Sequence, residues 1–143
     1  MKNVTELLKS KPDRAMVTVR PEDTVLDAIK ILAREDIGAA VVVSGDRLVG
    51  IFSERDYTRK VVLKGRQSET TKVEEIMTAN VVCVSPRTKT RDCMAIMSEK
   101  NIRHLPVVEE GRVVGMVSIR DIVTDIIADQ DFTISQLEQY IVS

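Results

Sequence analysis

The sequence predicts an α+β fold made from one β-α-β-β-α unit used twice. Three observations carry this expectation. The heptapeptide Gly50-Ile51-Phe52-Ser53-Glu54-Arg55-Asp56 returns as Gly115-Met116-Val117-Ser118-Ile119-Arg120-Asp121, so G-x-x-S-x-R-D occurs twice, 65 residues apart. The same offset superposes Pro21 on Pro86, Ile37 on Ile102, Val42-Val43 on Val107-Val108 and Arg47 on Arg112. Roughly a third of the aligned positions are identical without a gap, which marks an internal repeat. Within each copy, apolar runs of strand length and segments of helical periodicity follow in the same order.

The elements follow in turn. Val4, Leu7 and Leu8 give residues 4–9 a helical apolar spacing, and Pro12, which restricts Lys11, ends that segment. Val17-Thr18-Val19 reads as a short strand and Arg20-Pro21-Glu22-Asp23 as a turn. Thr24 is placed to cap a helix carrying Val25, Ala28, Ile29 and Leu32, which ends between Glu35 and Gly38 with the glycine as terminator. Residues 39–43 and 48–52 are unbroken apolar runs joined by Ser44-Gly45-Asp46-Arg47, a pattern that predicts a buried hairpin. Ser53 starts a helix through Tyr57, Val61, Val62 and Leu63 that stops at Gly65-Arg66-Gln67-Ser68. The second pass opens with a polar connector, 68–71, and a short helix at 73–77 that matches the N-terminal one. A strand at Val81–Val84 follows, then a helix with Cys93, Met94 and Met97 in the places of Ala28, Ile29 and Leu32. The second hairpin leads to Gly115–Asp121 and its helix. After Asp131, Ile134, Leu137, Tyr140 and Ile141 form an amphipathic stripe with Ser135 placed as its cap, packing on the chain's own core or on a second subunit. The organisation is therefore an N-terminal helix 1–11, a first repeat 12–66, a connector 67–76 with a short helix, a second repeat 77–128, and a C-terminal amphipathic helix 129–143.

Composition narrows the function classes. The 143 residues suit one compact domain or two packed halves. With 3% aromatics and no Trp, the core must be aliphatic side chains and Met. A formal net charge of −1 gives nucleic acid or an anionic membrane no electrostatic purchase. Two Tyr and two Phe are few for stacking on single-stranded nucleic acid. No apolar stretch approaches the roughly 18 residues of a membrane span. Met1 to Lys11 lacks the apolar region of a signal peptide, so a cytoplasmic protein with reduced thiols is expected. Cys83 and Cys93 form no C-x-x-C or Cys/His cluster, so they read as two small buried thiols rather than zinc ligands.

The repeated turn supports two readings. Ser53 with Asp56, and Ser118 with Asp121, have the spacing of a capping box, in which hydroxyl and carboxylate satisfy N–H groups of the helix start. The same strand-to-helix turn is also an anion site: N–H groups and positive potential for a phosphate, a carboxylate for ribose hydroxyls, Arg55 or Arg120 as a phosphate partner. Recurrence of Gly and Arg beside Ser and Asp exceeds what capping needs. His104 is the only histidine and has no metal-ligand companion or nucleophile pattern, so catalysis is not expected of it. Gly45 and Gly50 have P-loop spacing, but Ile51-Phe52 follow where Lys-Ser/Thr is required. Neither G-x-G-x-x-G nor G-x-S-x-G is present. Arg55, Arg59, Lys60, Lys64 and Arg66 make a basic helix edge, either a solvated face or a polyphosphate contact.

Two β-α-β-β-α units ending in G-x-x-S-x-R-D, a Val-x-Pro at the opening of each, and Arg103-His104-Leu105-Pro106-Val107-Val108 in the second resemble a tandem pair of CBS (cystathionine-β-synthase-type) domains, of the stand-alone kind, over about residues 12–128. The resemblance implies a pseudo-twofold module with clefts between the repeats. It implies adenosine-containing ligands there: AMP, ADP, ATP, S-adenosylmethionine or NAD. The motif's Asp would hold ribose and its Ser would sit by the phosphate. Carried onto this chain, the main cleft takes Thr18, Arg103, His104, Ser118, Arg120 and Asp121. The second takes Ser53, Arg55 and Asp56, with Ala39 and Ala40 beside the base. There Val82-Cys83 replaces Val17-Thr18, and Gly38-Ala39 replaces Arg103-His104, so the Asp121 cleft is the stronger expectation. The expected protein is a regulatory adenine-nucleotide sensor without catalysis or a catalytic cofactor. It would act as a homodimer of such modules through a separate target protein. The alternative is a structural dimerisation module with vestigial clefts.

Overall fold

Local chemistry places the first repeat. The computed structural model describes residues 2–10 and 16–142. Helix α1 spans Val4–Ser10, strand β1 Thr18–Val19 and helix α2 Val25–Glu35. Thr24 caps α2, its hydroxyl accepting the Asp27 N–H at 3.2 Å. The helix ends on Asp36, held in the left-handed region at φ 53°. Aspartate tolerates that conformation because its short polar side chain bonds locally. The expectation that Gly38 terminates the helix is thereby corrected. Strands β2 (Ala39–Ser44) and β3 (Arg47–Ser53) form the predicted hairpin across Gly45-Asp46. Gly45 supplies the φ of 67° that a two-residue turn needs to match strand twist.

The helix after Ser53 departs from expectation. It is one α turn, α3 (Glu54–Asp56), followed by a π-helix at Tyr57–Val62. The widened turn is closed by Leu63 N–H donating to the Thr58 carbonyl at 3.0 Å. Apolar spacing read as an ordinary α-helix does not distinguish the two, because both bury Val61.

Helices α4 (Val73–Ile76) and α5 (Thr90–Lys100), strands β4 (His104–Glu109) and β5 (Arg112–Ser118), and helix α6 (Ile119–Val142) complete the described chain. Repeat symmetry reaches backbone detail. Asn101 takes φ 54° where Asp36 takes 53°. The register shift at Val42/Val43 recurs at Val107/Val108. The predicted strand Val81–Val84 is reduced to one parallel bridge, Val84 to Val107, the mate of the Val19–Val42 pair in the first repeat. A tight turn, with Val81 N–H bonded to the Ala79 carbonyl, interrupts the rest. A separate C-terminal helix capped by Ser135 is also corrected. No Gly or Pro interrupts residues 119–142, so Ser135 lies inside the continuous helix α6. Cys93 is buried as expected, but Cys83 is exposed. The expected stop at Pro12 and the side chain of Tyr140 lie outside the described residues.

The five strands form one sheet in the order β1-β2-β3-β5-β4. The two hairpins meet through the Arg47–Arg112 pair, mates under the 65-residue offset, so the pseudo-twofold axis passes between them. Asp46 bonds the Arg112 guanidinium at 3.0 Å and offsets the facing like charges. Each repeat has its own apolar core, and the short helices are exchanged. Val4 and Leu7 of α1 pack with Cys93, Leu105, Val117 and Ile122 of the second repeat, while Val73 and Ile76 of α4 pack with Leu32, Val42 and Phe52 of the first. The anchoring bonds are mates: Val4 N–H to the Thr88 carbonyl, Val73 N–H to that of Asp23. Among the described residues no helix is long and apolar enough to cross a membrane.

Candidate functional site

Both G-x-x-S-x-R-D turns fold as capping boxes. In the first, Asp56 N–H donates to Ser53 Oγ at 3.1 Å and Ser53 N–H returns a bond to Asp56 Oδ2 at 3.0 Å. In the second, Asp121 N–H donates to Ser118 Oγ at 3.1 Å and Ser118 N–H to Asp121 Oδ2 at 2.9 Å. The first N–H of each helix is taken too: Glu54 bonds the Gly38 carbonyl at 3.0 Å and Ile119 that of Arg103 at 2.8 Å. Recognition of an anion here therefore falls largely to side chains rather than to these N–H groups.

The surroundings then separate the two turns. Asp56 is buried, and Lys60 Nζ sits 3.1 Å from its Oδ1. The Ser53 and Thr78 hydroxyls also bond its carboxylate, at 3.0 and 3.4 Å. Lys60 is tied down in turn, donating to the Ile76 carbonyl at 3.0 Å. The strand backbone beside it is covered as well: Ile51 and Thr78 exchange two backbone bonds of 2.9 Å, and Met77 lies over Gly50. Asp121 is half-buried, and the 65-residue offset places Asp125 where Lys60 stands. The Asp125 carboxylate is 2.7 Å from Lys2 Nζ, a hydrogen bond that holds the ammonium above its ordinary pKa.

A cavity of about 820 Å³ opens at the second turn. It brings together Arg103, His104, Ser118, Arg120 and Asp121, as the sequence grouped them. Asp36, Ile37 and Gly38 of the first repeat and Lys9 of α1 also line it. His104 passes beside Gly38, where an added Cβ would stand 3.7 Å from the imidazole. Three cationic side chains, Lys9, Arg103 and Arg120, thus share the cavity with two carboxylates, Asp36 and Asp121, next to apolar lining from Val17, Ile37 and Met116. The volume lies within the roughly 300–1,000 Å³ of small-molecule sites.

Some grouped residues stand elsewhere. Thr18 is exposed on β1, and its neighbours Met16 and Val17, rather than Thr18, line the cavity. Ala39, grouped with the Asp56 cleft, lines the cavity at Asp121. Ala40 is fully buried in the first repeat's core and offers no surface to a ligand. Arg55 is exposed beside the enclosed Asp56. Lys9 and Asp36 were missed. The signal for Lys9 lay in the 69-residue offset that superposes Val4, Leu7 and Leu8 on Val73, Ile76 and Met77, and hence Lys9 on Thr78. Of the basic edge, Lys60, Lys64 and Arg66 line a second hollow of about 420 Å³ with Glu75 and Ile76. Two of its cations are already engaged, Lys60 with Asp56 and Arg66 with Glu75 at 3.8 Å. Cys83 stands where Thr18 stands in the first repeat; the residue is exposed, yet partial desolvation of its thiol still raises the pKa. No group of three or more His, Cys, Asp or Glu among the described residues is arranged to hold a metal.

The comparisons agree with this architecture. The CBS domain family model matches residues 4–63 and 73–128. The chain is 38% identical to the CBS domain-containing protein CBSX3, mitochondrial, of Arabidopsis thaliana, over 96% of this chain and 71% of that protein. The solved structure of a CBS-domain protein from Burkholderia ambifaria MC40-6 superposes with a TM-score of 0.86 at 52% identity, covering 90% of this chain and 96% of that one. A CBS domain protein of Pyrobaculum aerophilum complexed with AMP superposes with a TM-score of 0.75 at 28% identity, covering 84% and 89% of the two chains.

Proposed function

The chain belongs to the CBS-domain family, and from that premise we propose that it is a regulatory module that binds an adenosine phosphate in the Asp121 cleft and performs no chemistry of its own. The observation that carries this reading is the cavity that Arg103, His104, Arg120 and Lys9 line together with Asp121 and Asp36. A carboxylate accepts two hydrogen bonds from the vicinal hydroxyls of ribose. Guanidinium groups pair with phosphate oxygens through charge-assisted bonds. The apolar wall of Val17, Ile37, Ala39 and Met116 offers a dry face for adenine. AMP, ADP, ATP and NAD share these features, and the AMP bound by the Pyrobaculum relative supports the class. The Asp56 cleft is closed to a ribose by Lys60 and Thr78 in this conformation. In this reading two modules pair as a homodimer, and a separate target protein reads the liganded shape.

Thermal melting with each of the four nucleotides at millimolar concentration tests the reading. Ligand at 100 times its Kd stabilises the native state by about 2.7 kcal/mol, several degrees for a chain of this size. At least one nucleotide is expected to produce that rise. No shift with any of them would favour the second reading, a structural dimerisation module with unused clefts. That reading draws on the observation that both turns are already complete capping boxes.

A further inference from the structure

Beyond Ile126, helix α6 leaves the apolar core of the described chain, although Asp129 still lies 3.5 Å from Lys2 Nζ. Ile122 is in the core and Ile126 packs against it, yet every residue from 127 to 139 is exposed. A solitary helix of this length is marginal in water. Its sequence is not that of a solvated helix. Val123, Ile127, Ile134, Leu137 and Ile141 are all at least 44% exposed. With Gln130 they follow the alternating spacing of a heptad seam: Ile127, Ile134 and Ile141 at a, Val123, Gln130 and Leu137 at d. The stripe that faces the core, Ile119, Ile122 and Ile126, is a different one.

We propose that this seam is covered by the same helix of a second copy, as a parallel two-stranded coiled coil from Val123 to Ile141. Isoleucine at a with leucine at d, as at Leu137, favours two strands, and the single polar Gln130 sets the register. Charge selects the orientation. Asp131 and Glu138 hold e positions. In an antiparallel pair e faces e, and acid would stack on acid. In a parallel pair e faces g of the partner copy, where Asp131 meets Ile126 and Glu138 meets Thr133. The inference is independent of the ligand-binding reading, because it uses none of the cleft residues.

Analytical ultracentrifugation of the full chain tests it. The wild type is expected to be a dimer at micromolar concentration. Replacing both seam residues, Ile134→Asp with Leu137→Asp, is expected to weaken association by roughly a hundredfold or more while leaving the melting of the body unchanged. Phe132→Asp removes an exposed apolar side chain at the outward f position and is expected to change nothing. A monomeric wild type, an undiminished dimer in the double variant, or an equal effect of Phe132→Asp would overturn the proposal. Orientation is read by Leu137→Cys in a Cys83→Ser background. Oxidation is expected to link the copies covalently, and failure to do so in a dimeric sample would overturn the parallel arrangement.

Discussion

Asp56 and Asp121 are mates in sequence and in backbone, and their chemistry differs because of their neighbours. Asp56 is buried with Lys60, Ser53 and Thr78 on its carboxylate. Asp56→Ala leaves those donors short of an acceptor and is expected to cost about 1–3 kcal/mol of stability, read by urea denaturation, with ligand affinity unchanged. Asp121→Ala removes one half of a capping box and is expected to cost about 1 kcal/mol. If the carboxylate holds ribose, affinity falls about 10- to 150-fold, the worth of a hydrogen bond to a charged group. The sequence ranked the clefts through two substitutions, Gly38-Ala39 for Arg103-His104 and Val82-Cys83 for Val17-Thr18, and the second carries no weight because Thr18 does not line the cavity. Two further reasons were harder to read. Lys60 reaches Asp56 from one helical turn away, whereas Thr78 arrives from 22 positions along the chain. Pairwise spacing records the first contact only once the role of Asp56 is known, and does not record the second.

At the scale of elements, close packing of the exchanged helices makes the two motif glycines structural as well. An added Cβ on Gly50 would stand 2.6 Å from Met77 Sδ and 3.0 Å from the Thr78 carbonyl oxygen. Gly50→Ala is expected to cost about 1–3 kcal/mol through overpacking. Met77→Ala should recover part of this, so that a double-mutant cycle is non-additive by more than about 0.5 kcal/mol. The helix starts offer a paired test. Thr24 caps α2 with its side chain, but its mate Lys89 makes no side-chain cap on α5. Thr24→Ala is expected to lose about 1 kcal/mol, and Lys89→Thr to gain a similar amount, in thermal or urea unfolding. Both hairpins and the helices α2 and α5 were legible because periodicity and turn residues are local. The π-helix, the loss of Val81–Val84 as a strand and the exchange of α1 and α4 were not. Val4 and Leu7 announce that α1 is buried, but nothing in their spacing says against which repeat.

The described molecule is a pair of cores related by a pseudo-twofold axis and cross-braced by exchanged helices, with a cavity assembled from both halves. Asp36 and Ile37 come from the first repeat, Arg103 to Asp121 from the second, and Lys9 from the helix braced on the second core. A ligand seated there would touch both halves. It would shift their relation only by as much as it binds one arrangement better than another. Duplication, fold class and the grouping of Arg103, His104, Ser118, Arg120 and Asp121 were all readable beforehand, because repetition is visible in a single sequence. Enclosure of Asp56 was not, since it depends on packing between elements. In the function proposed above, Asp121, and not Asp56, is the ligand carboxylate. Titration calorimetry tests it most directly, using the nucleotide that raises the melting temperature most, on wild type, Asp121→Ala and Asp56→Ala. Wild type and Asp56→Ala are expected to bind at like affinity, with a loss of about tenfold or more in folded Asp121→Ala. Undiminished binding by Asp121→Ala, or loss confined to Asp56→Ala, would contradict it.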